Sequence, residues 1–187
     1  MKKLFFLSLI LALSVSGFSQ VWSADFNHSK LGFTVTHLGI SDVSGHFDKY
    51  DVKVISSKSD FSDAVVELTV ETNSVYTRVA ARDKHLRSED FFDVEKFPAM
   101  TFKSTGIKTI GENIYELSGN LTLHGITKPV TMTLKFRGTH VKGNKTTAGL
   151  QITGTIKRSD FNFGSSFPNL VISDEVSIKA DGEFIVK

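Results

Sequence analysis

Six histidines and a few acid–base pairs are the residues that could do chemistry in this chain of 187 residues, which has no cysteine. Without cysteine, disulfides, thiol catalysis and thiolate metal sites are excluded. The sequence also has no G-x-S-x-G, no H-E-x-x-H and no phosphate-binding glycine loop. Spacing alone does not exclude a catalytic triad assembled by folding. We therefore expect neither an enzyme nor a metal site, and keep catalysis as an alternative.

His37 and the pairs around Asp83 are the most suggestive polar residues. His37 lies on the apolar face of the first predicted strand, where we expect a buried, hydrogen-bonded ring, or alternatively a contact with the polar head of a ligand. Asp83 and Arg87 have the four-residue spacing of an ion pair on a helix. We expect a structural polar cluster that braces the helical segment against the rest of the fold, formed by Arg82, Asp83, Arg87, Arg158 and Asp160.

Eight runs of alternating apolar and polar residues must position these groups, because such alternation is typical of half-buried strands. They lie near residues 30–37, 47–55, 64–70 and 99–108, before 123, at 130–136, before 156 and at 175–186. The segment 75–98 is the only one with a helical pattern, and Thr77 is a candidate helix cap. Closing eight antiparallel strands into a barrel removes exposed strand edges. The sequence predicts an all-β, eight-stranded antiparallel barrel with one helical insert after the third strand; a two-sheet sandwich is the alternative.

The interior of such a barrel is wide enough to be filled by side chains or to hold one small ligand. Small residues at positions such as Gly154 and Ala180 would leave room along the barrel axis, whereas the sixteen phenylalanines could fill it. Strand parity gives one candidate ligand-facing side per strand, although bulges shift that parity. The candidate ligand-binding residues are Leu31, Phe33, Val35, His37, Val66, Leu68, Met100, Phe102, Leu121, Leu123, Met132, Leu134, Leu150, Ile152, Val176 and Ile178.

The first nineteen residues are typical of a secretory signal peptide, with Lys2 and Lys3 before an apolar run and small residues before Gln20. The apolar run is about half of the ~20 residues that a membrane-spanning helix needs. We expect cleavage near Ser19–Gln20, a single domain over residues 20–187, and a periplasmic or secreted protein with no transmembrane segment after processing. The full chain has 22 basic and 20 acidic residues. Cleavage would remove Lys2 and Lys3 and leave 20 of each. This balance argues against a nucleic-acid partner.

Five stretches occur in an order that resembles the YceI-like family and together cover nearly all of residues 20–187. They are NHSKLGFTVTHLGISDVSGHF, RDKHLRSEDFFDVEKFPAMTFKST, GNLTLHGITKPVTM, RSDFNFG and DEVSIKADGEF. The resemblance implies an exported, lipocalin-like barrel with an elongated apolar pocket for a polyisoprenoid chain, such as an isoprenoid quinone tail, or for a fatty acid or its amide. Asn162 and Phe163 depart from the pattern, because many relatives continue directly as RSDFG.

The function that follows is that of an exported carrier that sequesters a long apolar chain in the barrel. Burying about twenty ligand carbons at ~0.8 kcal/mol each gives a gross gain of about 16 kcal/mol. Several kcal/mol of lost ligand freedom must be subtracted, so useful affinity needs no charged anchor. No cofactor is expected apart from the bound lipid. The sequence does not decide between a monomer and a homodimer. The alternatives are an enzyme acting on such a lipid and an interaction protein with a filled barrel.

Overall fold

The computed structural model describes residues 19–186, so most of the predicted signal peptide lies outside the described part. No helix within residues 19–186 is long and apolar enough to cross a membrane. The strands are β1 (Gln20–His37), β2 (Ser41–Phe47), β3 (Tyr50–Ser56), β4 (Val65–Glu71), β5 (Val75–Tyr76), β6 (Ala99–Gly111), β7 (Ile114–Leu123), β8 (Ile126–Lys142), β9 (Lys145–Lys157) and β10 (Ile172–Val186), and helix α1 is Ala80–Arg87.

Eight antiparallel strands close into a barrel, as the sequence predicts. The neighbours run β10, β9, β8, β7, β6, β4, β3 and β1, and β1 pairs again with β10 to close the ring. Strand β1 is shared: Gln20–Ser23 pair with β3, whereas Leu31–His37 pair with β2. Strands β2 and β3 are therefore one barrel strand that is interrupted at residues 48–49. The short β5 continues β4 in the same way, because β5 pairs with β2.

The alternation of side chains explains why these segments form strands around a single core. In β7, every second residue from Tyr115 to Leu123 is buried, while the residues between them are more exposed. Successive side chains of a strand point to opposite faces, so one face of β7 lines the barrel interior and the other meets solvent. The two-sheet sandwich is not formed.

One end of the barrel, here called the Phe61 end, is closed by an aromatic plug. Phe61 is fully buried and its ring lies 5.1 Å from Trp22 and 5.0 Å from Phe136 between centroids. The loop that carries Phe61 is tied down on both sides. Tyr115 Oη donates a hydrogen bond of 2.7 Å to the Asp60 carbonyl, and the Asp63 carboxylate accepts hydrogen bonds from two neighbouring serines.

The opposite end is covered by the insert between β5 and β6, here called the insert end. Its helix α1 is shorter than predicted, because Val75–Tyr76 form a strand and the helix begins only at Ala80. The N-cap is Val79 and has no side-chain cap, so the prediction that Thr77 caps the helix is wrong. Phe91 and Phe92, which follow the helix, are both buried and anchor the insert to the barrel.

Candidate functional site

An apolar cavity of about 110 Å³, here called the inner chamber, lies within the barrel. Side chains from strands all around the barrel line it, so no single element forms the site. Among the predicted candidates, those that line it are Leu31, Phe33, Val66, Leu68, Met100, Phe102, Leu121, Met132, Leu150, Ile152 and Ile178. Apolar atoms make up nearly all of its surface, and such a surface favours an apolar ligand.

A second cavity of about 320 Å³, here called the outer chamber, lies between the barrel and the insert. Val35, His37, Leu123 and Val176 from the predicted set line this chamber. The rest of its wall comes from segments where we predicted no ligand contacts. Those side chains include Leu86, Phe91 and Phe92 of the insert and Phe163 and Phe167 of the loop after β9.

The two chambers adjoin at a constriction, because five side chains line both of them: Phe33, Phe47, Met100, Ile156 and Ile178. The Phe33 and Phe47 rings lie 5.7 Å apart between centroids. Gly45 pairs with Phe33 across the strands, and a Cβ at position 45 would clash with the Phe33 ring. Glycine thus allows the ring to lie against the barrel wall. The two apolar chambers therefore lie next to each other, one within the barrel and one beneath the insert.

Fifteen of the sixteen predicted candidates line one chamber or both. The exception is Leu134, which is fully buried and packs in the hydrophobic core without lining either chamber. Their role in ligand binding stays a prediction.

Sequence reasoning missed the contribution of β3, where Tyr50, Val52 and Val54 face the inner chamber. Phe47 at the end of β2 also faces inward. The inward-facing side chains therefore have odd residue numbers in β2 and even residue numbers in β3. Phe47 and Tyr50 are three positions apart instead of two, so the break at residues 48–49 holds one extra residue and shifts the alternation as a bulge does. The alternation of Tyr50, Val52 and Val54 with polar residues was the available signal.

Arg158 is the main buried cation at the insert end, and only 4% of it is exposed. Its guanidinium donates hydrogen bonds of 2.8–2.9 Å to the backbone carbonyls of Phe163, Gly164, Ile172 and Ser173. Burial lowers the pKa of Arg158, and the nearby charge of Asp174 acts in the opposite direction. Five N–H donors in a fixed plane suit arginine to this task. Arg158 therefore holds the loop after β9 in place over the outer chamber.

The predicted polar cluster forms only in part. Asp83 is buried and accepts hydrogen bonds from the backbone N–H and the hydroxyl of Thr77. Arg82 donates to the same threonine through Nε at 2.8 Å and Nη2 at 2.7 Å. Both side chains thus fix the chain segment that leads into α1. Arg82 and Arg158 also line the outer chamber, so both parts of the cluster border the same cavity.

Two expectations about this cluster are wrong. Arg87 does not pair with Asp83; it donates to the carbonyls of Asn73 and Val75, each at 2.8 Å. Backbone carbonyls of the preceding turn are closer to its guanidinium than the buried carboxylate is. Asp160 is exposed, and Asp174 rather than Asp160 is the acid that binds this turn, through hydrogen bonds from Ser159.

His37 is not the buried histidine that the strand pattern favoured. It is exposed at the last position of β1, where the strand leaves the barrel, and it lines the rim of the outer chamber. The apolar face of β1 therefore ends at Val35 rather than at His37.

One group of side chains within residues 19–186 brings three potential metal ligands together. Asp25, His28 and Glu183 have their ligating atoms within 4.8 Å of one another. His28 Nδ1 lies 3.1 Å from an Asp25 oxygen and 3.8 Å from a Glu183 oxygen. Most of the group faces solvent, and exposed ion pairs of this kind contribute little to stability.

Comparison with known proteins agrees with this architecture. The UPF0312 protein of Pectobacterium carotovorum subsp. carotovorum is 41% identical over 83% of this chain and 81% of its own. Protein YceI of Salmonella arizonae is 40% identical over the same shares. A crystal structure of a Campylobacter jejuni YceI protein mutant matches with a TM-score of 0.74 and 31% identity, over 79% of this chain and 87% of that one.

A more distant structure shares the fold. The polyisoprenoid binding domain from Saccharophagus degradans has a TM-score of 0.65 and 21% identity, over 89% of this chain and 98% of that domain. The profile described as the YceI-like domain matches residues 22–184, which include every strand that closes the barrel. With that match and the sequence identity to curated relatives, the chain belongs to the YceI-like family.

Proposed function

We propose that this protein is a carrier that sequesters a long apolar chain in the inner and outer chambers. The observation that carries the proposal is the pair of adjoining apolar chambers, one in the barrel interior and one at the insert end, which share the side chains of the constriction. A chain-like ligand fits this shape because it can occupy both chambers at once. The similar fold of the polyisoprenoid binding domain from Saccharophagus degradans supports the same class of ligand.

The ligand that we propose is a polyisoprenoid or the tail of an isoprenoid quinone, with a fatty acid or its amide as the second choice. Each methylene removed from water contributes ~0.8 kcal/mol, so a long chain gains affinity by length rather than by charge. Phe33, Met100 and Ile178 give the constriction apolar walls, against which methyl branches can pack. In such a space, polar groups orient the ligand more than they hold it.

We further propose that the carrier acts outside the cytoplasm, in the periplasm or after secretion. The support is the sequence of residues 1–19, with its basic start and short apolar run. N-terminal sequencing of the protein recovered from its host is expected to begin near Gln20. An N-terminus at Met1 in the recovered protein would contradict export by cleavage.

The direct test is to purify the protein from its native host, extract it with organic solvent and identify the extract by mass spectrometry. The expected result is a stoichiometric, chemically unchanged lipid with a long apolar chain. An empty extract, together with no binding of added isoprenoid lipids, would refute the carrier. Chemical turnover of an added lipid would instead favour the enzyme.

Two matched variants control for lipid that adheres to the surface. Leu68→Trp places an indole in the inner chamber, whereas Thr69→Trp places the same group on the exposed face of the same strand. We expect Leu68→Trp to carry less lipid and Thr69→Trp to carry as much as the wild type. Equal loss from both would show that the lipid was bound outside the barrel.

A further inference from the structure

Tyr50 carries an unusual hydroxyl. Within residues 19–186, Tyr50 Oη is the only buried side-chain nitrogen or oxygen atom that has no hydrogen-bond partner. Nearly all buried polar groups in proteins are hydrogen-bonded, because an unpaired group loses its bonds to water on folding and regains nothing. Phenylalanine would fill the same space without that cost. The hydroxyl therefore calls for a partner that the protein itself does not provide.

Tyr50 lies at the wall of the inner chamber, beside a break in strand pairing. Tyr50 is the first residue of β3 and lines this chamber. Opposite it, residues 24–30 of β1 pair with neither β2 nor β3, which leaves a gap in the barrel wall. Phe26 lies over that gap, with its ring 5.3 Å from the Tyr50 ring in an edge-on arrangement. The hydroxyl is thus shielded from solvent at the wall of an apolar cavity.

The other polar side chains around the inner chamber have partners of their own, except Lys30, which is exposed to solvent. Asp181 accepts hydrogen bonds from Arg137 at 3.1 Å and from Gln151 at 2.9 Å. Ser29 Oγ donates to the Glu183 carbonyl at 3.4 Å. Among the buried polar atoms of this wall, the Tyr50 hydroxyl is the one without a hydrogen-bond partner. A ligand with a single polar group would meet it there.

We propose that the Tyr50 hydroxyl binds one uncharged oxygen of the ligand, such as the oxygen of an alcohol, an amide or a quinone carbonyl. This inference rests on the proposed carrier function and specifies the class of ligand. It places the polar end of the molecule in the inner chamber beside the gap in the wall. The apolar chain then extends past Phe33 and through the constriction into the outer chamber.

The surroundings favour an uncharged oxygen over a carboxylate. Burial raises the pKa of Tyr50, so a negative charge at this position is disfavoured. A buried carboxylate needs a cation or several hydrogen bonds to replace its hydration. The walls around Tyr50 are mainly apolar, and the one lysine that lines the chamber, Lys30, is itself exposed to solvent. A neutral oxygen needs only the single hydrogen bond that Tyr50 can give.

The test compares three probes of equal chain length: geranylgeraniol, the corresponding hydrocarbon without the hydroxyl, and the corresponding carboxylic acid. We expect Tyr50→Phe to weaken binding of the alcohol about threefold to tenfold, the range for one net hydrogen bond. Binding of the hydrocarbon is expected to stay unchanged. Tyr115→Phe is the matched control, because it removes a buried hydroxyl that bonds Asp60 and lines neither chamber; it is expected to leave the affinity of all three probes unchanged.

Thermal unfolding without ligand gives an independent readout. Tyr50→Phe is expected to keep or raise the midpoint temperature, whereas Tyr115→Phe is expected to lower it, because the Asp60 carbonyl loses its donor. A lowered midpoint for Tyr50→Phe would overturn the proposal, since the hydroxyl would then have a partner in the unliganded protein. Equal effects of Tyr50→Phe on the alcohol and the hydrocarbon, or tighter wild-type binding of the acid than of the alcohol, would overturn it as well. Failure of all three probes to bind the wild type would instead overturn the carrier function.

Discussion

Blocking the constriction with Ile178→Trp is expected to shorten the ligand that the protein can hold. Ile178 lines both chambers, and its neighbour Ser177 points outward on the same strand. A tryptophan at position 178 adds an aromatic ring where the two chambers meet. The inner chamber then becomes a closed space, and the chain of a long ligand has no path to the insert end.

The size of the effect follows from the share of the ligand that loses its binding site. The outer chamber has a volume of about 320 Å³ against about 110 Å³ for the inner chamber. Each isoprene unit has five carbons, so its burial contributes about 4 kcal/mol at ~0.8 kcal/mol per carbon. If ordering the chain offsets half of this, about 2 kcal/mol per unit remains, or roughly thirtyfold in the dissociation constant. Losing two units would weaken binding on the order of 10³-fold.

The assay is titration of the protein with isoprenoid alcohols of increasing length, followed by quenching of intrinsic fluorescence or by calorimetry. For the wild type, affinity is expected to rise with each unit until both chambers are filled. For Ile178→Trp, the rise is expected to stop at a shorter length, with little change for the shortest probes. Ser177→Trp is the control, since it adds the same group outside the barrel.

The same dependence on chain length in Ile178→Trp and in the wild type would refute a single binding path through the constriction. Because overpacking can itself destabilise a protein by 1–3 kcal/mol, the variant's unfolding must be measured in parallel. Met100→Phe offers a second, smaller obstruction from the opposite wall of the constriction. Agreement between these two variants would separate blocking from local unfolding.

Two further predictions concern the segments that close the barrel ends. Arg158→Lys is expected to lower the free energy of unfolding, measured in urea, by about 3 kcal/mol, because lysine cannot satisfy four carbonyls at once. The control is Arg137→Lys at an exposed position, which is expected to cost under about 1 kcal/mol. Equal costs for the two variants would contradict the bracing role of Arg158. At the Phe61 end, desolvation of Asp63 is outweighed by hydrogen bonds from Ser56, Ser57 and the backbone, which lower its pKa from 3.8 to about 2. Because the pKa of Asp63 is lower in the folded protein than in the unfolded chain, its ionised carboxylate stabilises the fold at any pH above the unfolded-state pKa. Asp63→Asn is therefore expected to cost about 1 kcal/mol at pH 7. That difference from the wild type is expected to shrink as the pH falls from about 4 to 2, and a constant difference would argue against the ionised carboxylate.

Side-chain alternation predicted the barrel and most of the cavity wall because each strand keeps its parity over long stretches. At the level of the chambers, strands β6 to β10 have no irregularity that would turn their inward-facing side chains outward. Met100, Leu121 and Ile178 therefore face the barrel interior, as alternation predicts. Leu134 has the same parity but lies beyond the cavity, where the core is fully packed. Parity alone gives the face of a side chain and not its height along the barrel.

Sequence reasoning missed Tyr50 and the partners of the arginines for different reasons. The break at residues 48–49 reverses the parity of the second barrel strand, and nothing in the local composition fixes the site of such a break. Arg158 and Arg87 bond backbone carbonyls, which every residue has, so residue types could not reveal those partners. Ion pairs were expected only because charged side chains are visible in a sequence.

The pairing of β1 with β10 has a consequence for how the protein acquires its shape. Trp22 pairs with Val186, so the first and last strands of the barrel meet across almost the whole described chain. Contacts between residues so distant in sequence form slowly, because a long loop must close before they stabilise anything. The cavity has no complete wall until β10 has docked. An apolar chain present during folding can thus be enclosed as the last seam forms, without having to enter a finished barrel.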